Sequence, residues 1–290
     1  MLRRISILGT GLLGASAGLA LRAAGFTGSI TGWNRGSAGG STALNAGAID
    51  ALAADPVAAA QEADLILLAM PIYATLEMMD RLAPVLTPAQ LVTDVGSTKA
   101  EICAHAEKLY NSPITAGFLP GHPMAGKERG GAELGEATLF QNTIWIFTDS
   151  GGESRSSTSA ALATEWRQWV ARIGARTMDL APERHDELVA WVSHLPQFLS
   201  TALSALILEE MGNAPELKWV GGRALRETTR LGASPYSMWR DIALTNSEPI
   251  TRALHALELR LQHLRENLKT PELRDEFERA NKFRKDLPTS

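Results

Sequence analysis

Glycines are the first residues of this chain with a chemical task. Gly9, Gly11 and Gly14 stand in G-x-G-x-x-G spacing directly behind the β-branched run "RRISIL" and open the Ala-rich stretch Leu12 to Ala24. Between a strand and a helix, that spacing makes a tight turn at Gly9 and lets backbone N–H groups approach a pyrophosphate at Gly11. Gly14, with Gly18, lets the helix lie close. Leu12 and Leu13, the first helical residues, belong to the same cradle. The segment also has the basic start, apolar run and small-residue end of a secretory signal. It is barely long enough for a membrane span, and its glycines would make a poor apolar helix. The strand-turn-helix context favours the dinucleotide. At the end of the next strand, "TGWNR", an NAD site usually offers a carboxylate to the ribose. Asn34 and Arg35 stand there and favour the 2'-phosphate of NADP. NAD, held by Asn34 with Arg35 left in solvent, is the alternative.

Other residues with chemical potential fall just after candidate strands, where an open parallel sheet collects ligands. Met70, Pro71 and Ile72 lie in "AMPIY", Ser97 in "DVGSTKAEI" and His122 in "GHPMAGKERGG". The spacing in "VGSTK" is wrong for a phosphate loop, and no base near Ser97 in sequence would make it a nucleophile. A histidine can be a neutral base near pH 7, but His122 alone reads equally as a turn residue. His185 and His194 are nine residues apart on one helix and lack a carboxylate set, so no metal site is expected. The single cysteine, Cys103, excludes an internal disulfide and a cysteine-based zinc site. It reads as a buried small hydrophobe.

The elements that must position these residues fall into two regions. Candidate strands are Arg4 to Leu8, Ser29 to Gly32, Leu65 to Ala69, Leu91 to Asp94, the Phe118 to Gly121 region, Thr143 to Thr148 and Arg176 to Met178. They alternate with helical stretches, the pattern of a Rossmann-type doubly wound, mostly parallel α/β sheet. "SAGGSTALNAGAID" and "GGESRSSTSA" read as surface connections, the second leading into a helix around Trp166 and Trp169. Beyond residue 180 the strand signals stop, which gives a dinucleotide-binding domain over 1–180 and an all-helical domain over 181–290. In the latter, Leu188, Val192, Leu195, Leu199, Ala202 and Leu206 form an apolar stripe. Pro196 should kink that helix beside His194. Ile250, Leu254, Leu257, Leu261, Leu264 and Leu268 form a second stripe behind a Ser247 cap with Pro249 in the first turn. Such a seam suits either packing within the subunit or a homodimer interface. The polar tail "KFRKDLPTS" is expected to fray.

With 290 residues, 45% of them hydrophobic, the chain can build two packed domains. Its net charge of -4 is mild and shows no basic block, which argues against a nucleic-acid partner. No segment beyond the first is expected to be long and apolar enough to span a membrane, which leads to a cytoplasmic location.

The ordered set "ILGTGLLGAS", "DVGSTK", "GHPMAGKERGG", "HDELVAWVSHLPQF" and "RETTRLGASPYSMWRDI" resembles the prephenate and arogenate dehydrogenase family across both regions. The resemblance implies a Rossmann domain, a helical dimerisation domain and an oxidative decarboxylation of prephenate or L-arogenate on the route to tyrosine. His122 would take the proton of the ring hydroxyl as hydride leaves for the nicotinamide, and Ser97 would orient His122 or the same hydroxyl. Arg230 would clamp a substrate carboxylate; otherwise it is a surface partner of Glu227, three residues back. Trp239 and Arg240 read as packing and ion-pair residues. His185 reads as a support or interdomain residue and His194 as a buried hydrogen-bonder. The sequence departs from the family pattern where relatives often carry a second histidine after "SHLP" and a threonine after "HPMAG". Here Gln197 and Lys127 stand in those places, as a donor and a cation for a dianionic substrate. No stretch after the helical region resembles the regulatory domain or fused mutase of some relatives. Two other readings compete: a β-hydroxyacid-type dehydrogenase, and a noncatalytic NADPH-binding sensor.

Overall fold

A computed structural model of the chain describes residues 1–149, 155–212 and 214–287. Its first half follows the order β1 (Arg4–Leu8), α1 (Leu12–Ala23), β2 (Ser29–Trp33), α2 (Ser37–Asn45), β3 (Ala51–Leu52), α3 (Pro56–Gln61), β4 (Leu65–Leu68), α4 (Ile72–Leu82), β5 (Leu91–Asp94), α5 (Ala100–Tyr110) and β6 (Gly117–Leu119). These six strands form one parallel sheet in the order β3-β2-β1-β4-β5-β6. The strand order reverses between β1 and β4, which opens a ligand crevice at their carboxyl ends. Side-chain alternation along β4 divides the core. Leu65 and Leu67 face a cluster containing Ile5, Leu21, Trp145 and Trp166, while Ile66 and Leu68 face one containing Met79, Val92 and Ile102. The second cluster continues into the helical half through Ala190, Ile242 and Ile250.

Two local expectations change here. The "SAGGSTALN" connection is helix α2, whose glycines let it lie close: a Cβ on Gly40 would meet the Leu52 side chain at 2.6 Å. The strand expected from Phe118 to Gly121 is split at Pro120. β6 closes the main sheet, and β7 (Gly121–Pro123) starts a second one with β8 (Ile144–Phe147) and β9 (Arg176–Asp179). A proline has no N–H to continue a ladder. The β7–β8 pair is antiparallel and sets His122 opposite Ile146. Between β8 and β9 runs α6 (Ser157–Arg172), which buries Trp166 and Trp169; residues 151–154 of the "GGESRSSTSA" connection lie outside the described residues.

The helical half comprises α7 (Pro182–Val189), α8 (Leu195–Met211), α9 (Leu217–Val220), α10 (Arg223–Thr229), α11 (Tyr236–Thr245), α12 (Ser247–Glu266) and α13 (Glu272–Asp286). A π-helical turn, Ala190–His194, joins α7 to α8. It falls just ahead of Pro196, whose missing N–H breaks the regular ladder there. The face of this run turned inward is polar: His185, Asp186, His194, Gln197 and Ser200 are buried, whereas Val192, Leu199 and Leu206 of the expected stripe are 65%, 43% and 53% exposed. The stripe therefore does not pack on its own subunit. By length and composition alone, Pro182–Met211 is apolar enough to cross a membrane, contrary to expectation. Its buried acid and histidines nevertheless pack against the nucleotide-binding half. α12 is capped one residue earlier than expected, at Asn246, whose amide is drawn away to Asp186 O and His194. The tail helix persists to Asp286, so most of the segment expected to fray is helical.

Candidate active site

The glycine turn leaves β1 at the crevice. Gly9 has φ +103°, and a Cβ there would lie 2.2 Å from the Ala69 carbonyl oxygen at the end of β4. A Cβ on Gly14 would strike Gly9 O at 2.0 Å, and one on Gly18 would strike Ala48 O, also at 2.0 Å. Gly11, at the cap of α1, has nothing within 4 Å of its Cβ position. A turn closed on the protein side and open on the other is a cradle a pyrophosphate fits, with the N–H groups of Leu12 and Leu13 at a helix N-terminus. At the end of β2, Asn34 donates to Gly36 O at 2.9 Å, and Arg35 is exposed with no ion pair among the described residues. Across the crevice, Pro71 caps α4 and Met70 is half-buried, while the Ile72 side chain packs in the core.

The "DVGSTK" segment carries more than its serine. Asp94 ends β5 fully buried and is ion-paired to the equally buried Lys99. Asp94 also accepts from Gly96 N at 2.7 Å and Gly121 N at 3.2 Å, while Lys99 Nζ donates to Gly121 O at 2.9 Å. A Cβ on Gly121 would crowd the Trp145 indole nitrogen at 2.7 Å. The pair thus fixes both backbone groups of the residue preceding His122. Ser97 is half-buried and has no hydrogen bond to His122.

His122 is 8% exposed. Its Nδ1 lies 2.8 Å from Nε2 of the fully buried His185, and His185 Nδ1 lies 2.7 Å from Asp186 Oδ1. Asp186 in turn accepts from Lys99 N at 2.7 Å and Ala100 N at 2.9 Å, placing a carboxylate on the N-terminus of α5. Burial pushes the His122 imidazole well below the ordinary histidine range, and His185, Lys99 and His194 push the same way. His122 is therefore neutral at pH 7, and its Nε2 has no hydrogen bond among the described residues. His194, with Nδ1 3.1 Å from the Asn246 amide nitrogen, is lowered to about 4, chiefly by burial.

Arg230 sits in the turn Arg230–Ala233 after α10 and is ion-paired with Glu128, from the loop that follows His122. Glu227 is taken by Arg223, so the expected alternative pair with Arg230 does not form. Gln197 is buried and donates to Leu231 O at 2.7 Å, while Ser200 Oγ accepts from Gly232 N at 2.9 Å. Together they hold the turn that carries Arg230. Lys127 donates to Leu134 O at 3.0 Å and Glu136 Oε1 at 2.5 Å, closing its own loop. Trp239 packs edge-on against His194 and Phe198, and Arg240 pairs with Asp241. No cluster of metal-ligating side chains exists among the described residues. Cys103 is half-buried, its thiol pushed up to about 11 by desolvation.

Sequence reasoning passed over Asp186, Asp94, Lys99 and Glu128. The signal for Asp186 was its place beside His185, since an acid adjoining a buried histidine rarely lacks a partner. The others needed a fold to bring residues such as Asp94 and Gly121 together.

Comparison with known proteins accords with this arrangement. The family model for the prephenate dehydrogenase nucleotide-binding domain matches residues 17–176, and that for the prephenate dehydrogenase dimerization domain matches residues 181–283. Prephenate dehydrogenase of Lactococcus lactis is 32% identical over 85% of this chain, and that of Bacillus subtilis is 29% identical. The chain spans 66% and 65% of those two relatives' lengths. Cyclohexadienyl dehydrogenase of Zymomonas mobilis is 30% identical over 99% of this chain and 97% of its own. A crystal structure of Aquifex aeolicus prephenate dehydrogenase, in complex with hydroxyphenyl propionate and NAD+, superposes with a TM-score of 0.82 at 28% identity. It covers 99% of this chain and 96% of that one. Synechocystis arogenate dehydrogenase follows at 0.75 and 28%, covering 97% and 99%. A 3-hydroxyisobutyrate dehydrogenase of Mycobacterium tuberculosis shares only the fold, at 15% identity and a TM-score of 0.52. Matched through both regions by these family models, the chain belongs to the prephenate dehydrogenase family.

Proposed function

We propose that this protein is an NAD(P)-dependent oxidoreductase that oxidatively decarboxylates prephenate to 4-hydroxyphenylpyruvate, or L-arogenate to tyrosine, in tyrosine biosynthesis. The observation that carries the reading is His122: neutral, anchored through Nδ1, and without a hydrogen bond at Nε2 among the described residues. When bound, the nicotinamide supplies the hydride acceptor. His122 Nε2 accepts the proton of the C4 hydroxyl as the C4 hydrogen departs with its electron pair, leaving a ketone conjugated to the carbon that bears the carboxylate. That carboxylate leaves as CO2, its bonding electrons complete the aromatic ring, the carbonyl pair moves to oxygen, and that oxygen takes back the proton from His122. The chain's part is orientation and charge complementarity. Arg230 meets a substrate carboxylate, Gln197 holds its turn, Lys127 braces the loop between His122 and α1, and Ser97 steadies the hydroxyl. Gly9, Gly11, Leu12, Leu13, Gly14, Met70, Pro71 and the backbone of Ile72 hold the dinucleotide.

We divide the chain at residue 180 into a nucleotide-binding and a helical domain, and place the enzyme in the cytoplasm as a homodimer joined through the helical domain. The matched dimerization model and the uncovered apolar face of α8 support the pairing. NADP is the favoured cofactor, because Arg35 is exposed without an ion pair among the described residues and no carboxylate adjoins Asn34 in sequence.

Assaying prephenate and L-arogenate with each cofactor tests the activity. One pairing should give reduced nicotinamide and CO2, and His122→Asn should lower kcat by roughly 10²- to 10⁴-fold with cofactor affinity retained. No turnover in all four pairings would end the reading. Arg35→Ala should raise KM for NADP by roughly tenfold and leave that for NAD nearly unchanged, about one charge-assisted bond. Equal effects on both would return the preference to NAD.

A further inference from the structure

Hydrogen-bond arithmetic across the domain boundary says which nitrogen of His122 carries its hydrogen. Two backbone N–H groups, of Lys99 and Ala100, donate to the two oxygens of Asp186. With both oxygens already accepting, Asp186 leaves the hydrogen of the 2.7 Å contact at Oδ1 to His185 Nδ1. If that is the ring's one hydrogen, His185 Nε2 is an acceptor. His122 Nδ1, 2.8 Å away, must then be the donor, and the His122 lone pair lies on Nε2.

We propose that His185 and Asp186 are positioning residues which hold His122 in its Nδ1–H tautomer, so that Nε2 is the base. This rests on the activity proposed above, in which Nε2 takes the hydroxyl proton. The surroundings favour a single neutral form. Lys99, the nearest ammonium, disfavours a second cation, and its own charge is matched by Asp94. His194 is neutral and turned to Asn246. The two rings cross at 67° with centroids 5.0 Å apart, so they meet edge-on and neither can slide over the other. As Nε2 takes up its proton, Nδ1–H remains bonded to His185, and the charge of Asp186 is felt through that ring. The same logic operates where a buried aspartate orients the histidine of a serine-protease triad, and replacing that aspartate by asparagine there costs about 10⁴-fold in kcat.

Nitrogen–proton correlation spectra of the full-length protein labelled with ¹⁵N-histidine test this directly. His122, identified by loss of its signals in His122→Asn, should show a protonated Nδ1 and a bare Nε2 at pH 7.5. In Asp186→Asn the side-chain amide can donate to His185 Nδ1. Both rings should then switch tautomer, and kcat should fall roughly 10²- to 10⁴-fold while KM and cofactor affinity change by less than about threefold. Because Asp186 also caps α5, His185→Phe is the companion variant: it keeps a buried ring and the cap, and should lower kcat similarly with its melting temperature little changed. A bare Nδ1 in the wild type, or unchanged kcat in folded His185→Phe, would overturn the proposal. The tautomer reading needs no substrate, so it remains decisive even if neither prephenate nor arogenate is turned over, an outcome that would overturn the activity alone.

Discussion

At the scale of single residues, the site is defined by histidines kept uncharged. The folded His194 is lowered to about 4 from an ordinary 6.5, mainly by burial. Between those values the unfolded chain binds a proton that the folded chain refuses, so stability falls as pH drops through this window and is fully present above it. The shift corresponds to about 3 kcal/mol, and His122 adds a loss of the same sign. Urea midpoints should therefore fall steadily from pH 7 to pH 4, and His194→Gln, which keeps an acceptor for Asn246, should flatten the slope. An unchanged slope would mean that other groups dominate acid sensitivity. The glycines were nameable from spacing beside a turn signal, whereas His122 and Arg230 were named through the family resemblance. Asp186 offered only its place beside His185 as a signal, because the helix N-terminus it caps is distant in sequence and adjacent only after folding.

At the scale of elements, the buried Asp94–Lys99 pair ties the end of β5 to the start of β7. Removing one member leaves an uncompensated charge in the core, so Lys99→Met should cost about 3–5 kcal/mol, read from urea unfolding. A cost below about 1 kcal/mol would show that Asp94 finds water or another donor. Short β-branched or apolar runs made the central strands legible: "LILL" is wholly apolar, and "RISIL" and "LVTD" carry Ile, Val and Thr. Helix α2 was not legible, because glycines at 39 and 40 argue against a helix on propensity. Close packing on Asn34 and Leu52 overrides that preference. The π turn before Pro196 was foreshadowed as a kink, but its form depends on the buried His194 that it must accommodate.

At the scale of the whole molecule, two acids of the helical half reach across to the nucleotide-binding half. Asp186 accepts from the N-terminus of α5, and Asp241 accepts from Tyr73 N at 3.4 Å in the first turn of α4. Thr98 and Thr245 hydroxyls meet at 2.7 Å between them. Both acids sit at the carboxyl edge of the sheet, so the contacts that join the halves also wall the crevice. One face of α8 is apolar and open, with Leu199 and Leu206 at 43% and 53% exposure. A patch of that kind marks an association surface. Leu206→Glu should convert a dimer to monomer in sedimentation velocity; a species that is monomeric before the change would refute the pairing. The seam from Ile250 to Leu268, largely on α12, was visible in sequence, but periodicity is blind to what lies opposite: Ile250 is buried in its own subunit, while Leu261 and Leu268 are exposed.

A single oxygen, Asp186 Oδ1, accepts from both the Lys99 amide and the His185 ring. The joint between the halves and the alignment of the imidazoles therefore share one atom. Parting the two halves at that atom would free the imidazoles as well, so neither the joint nor the alignment can be lost alone.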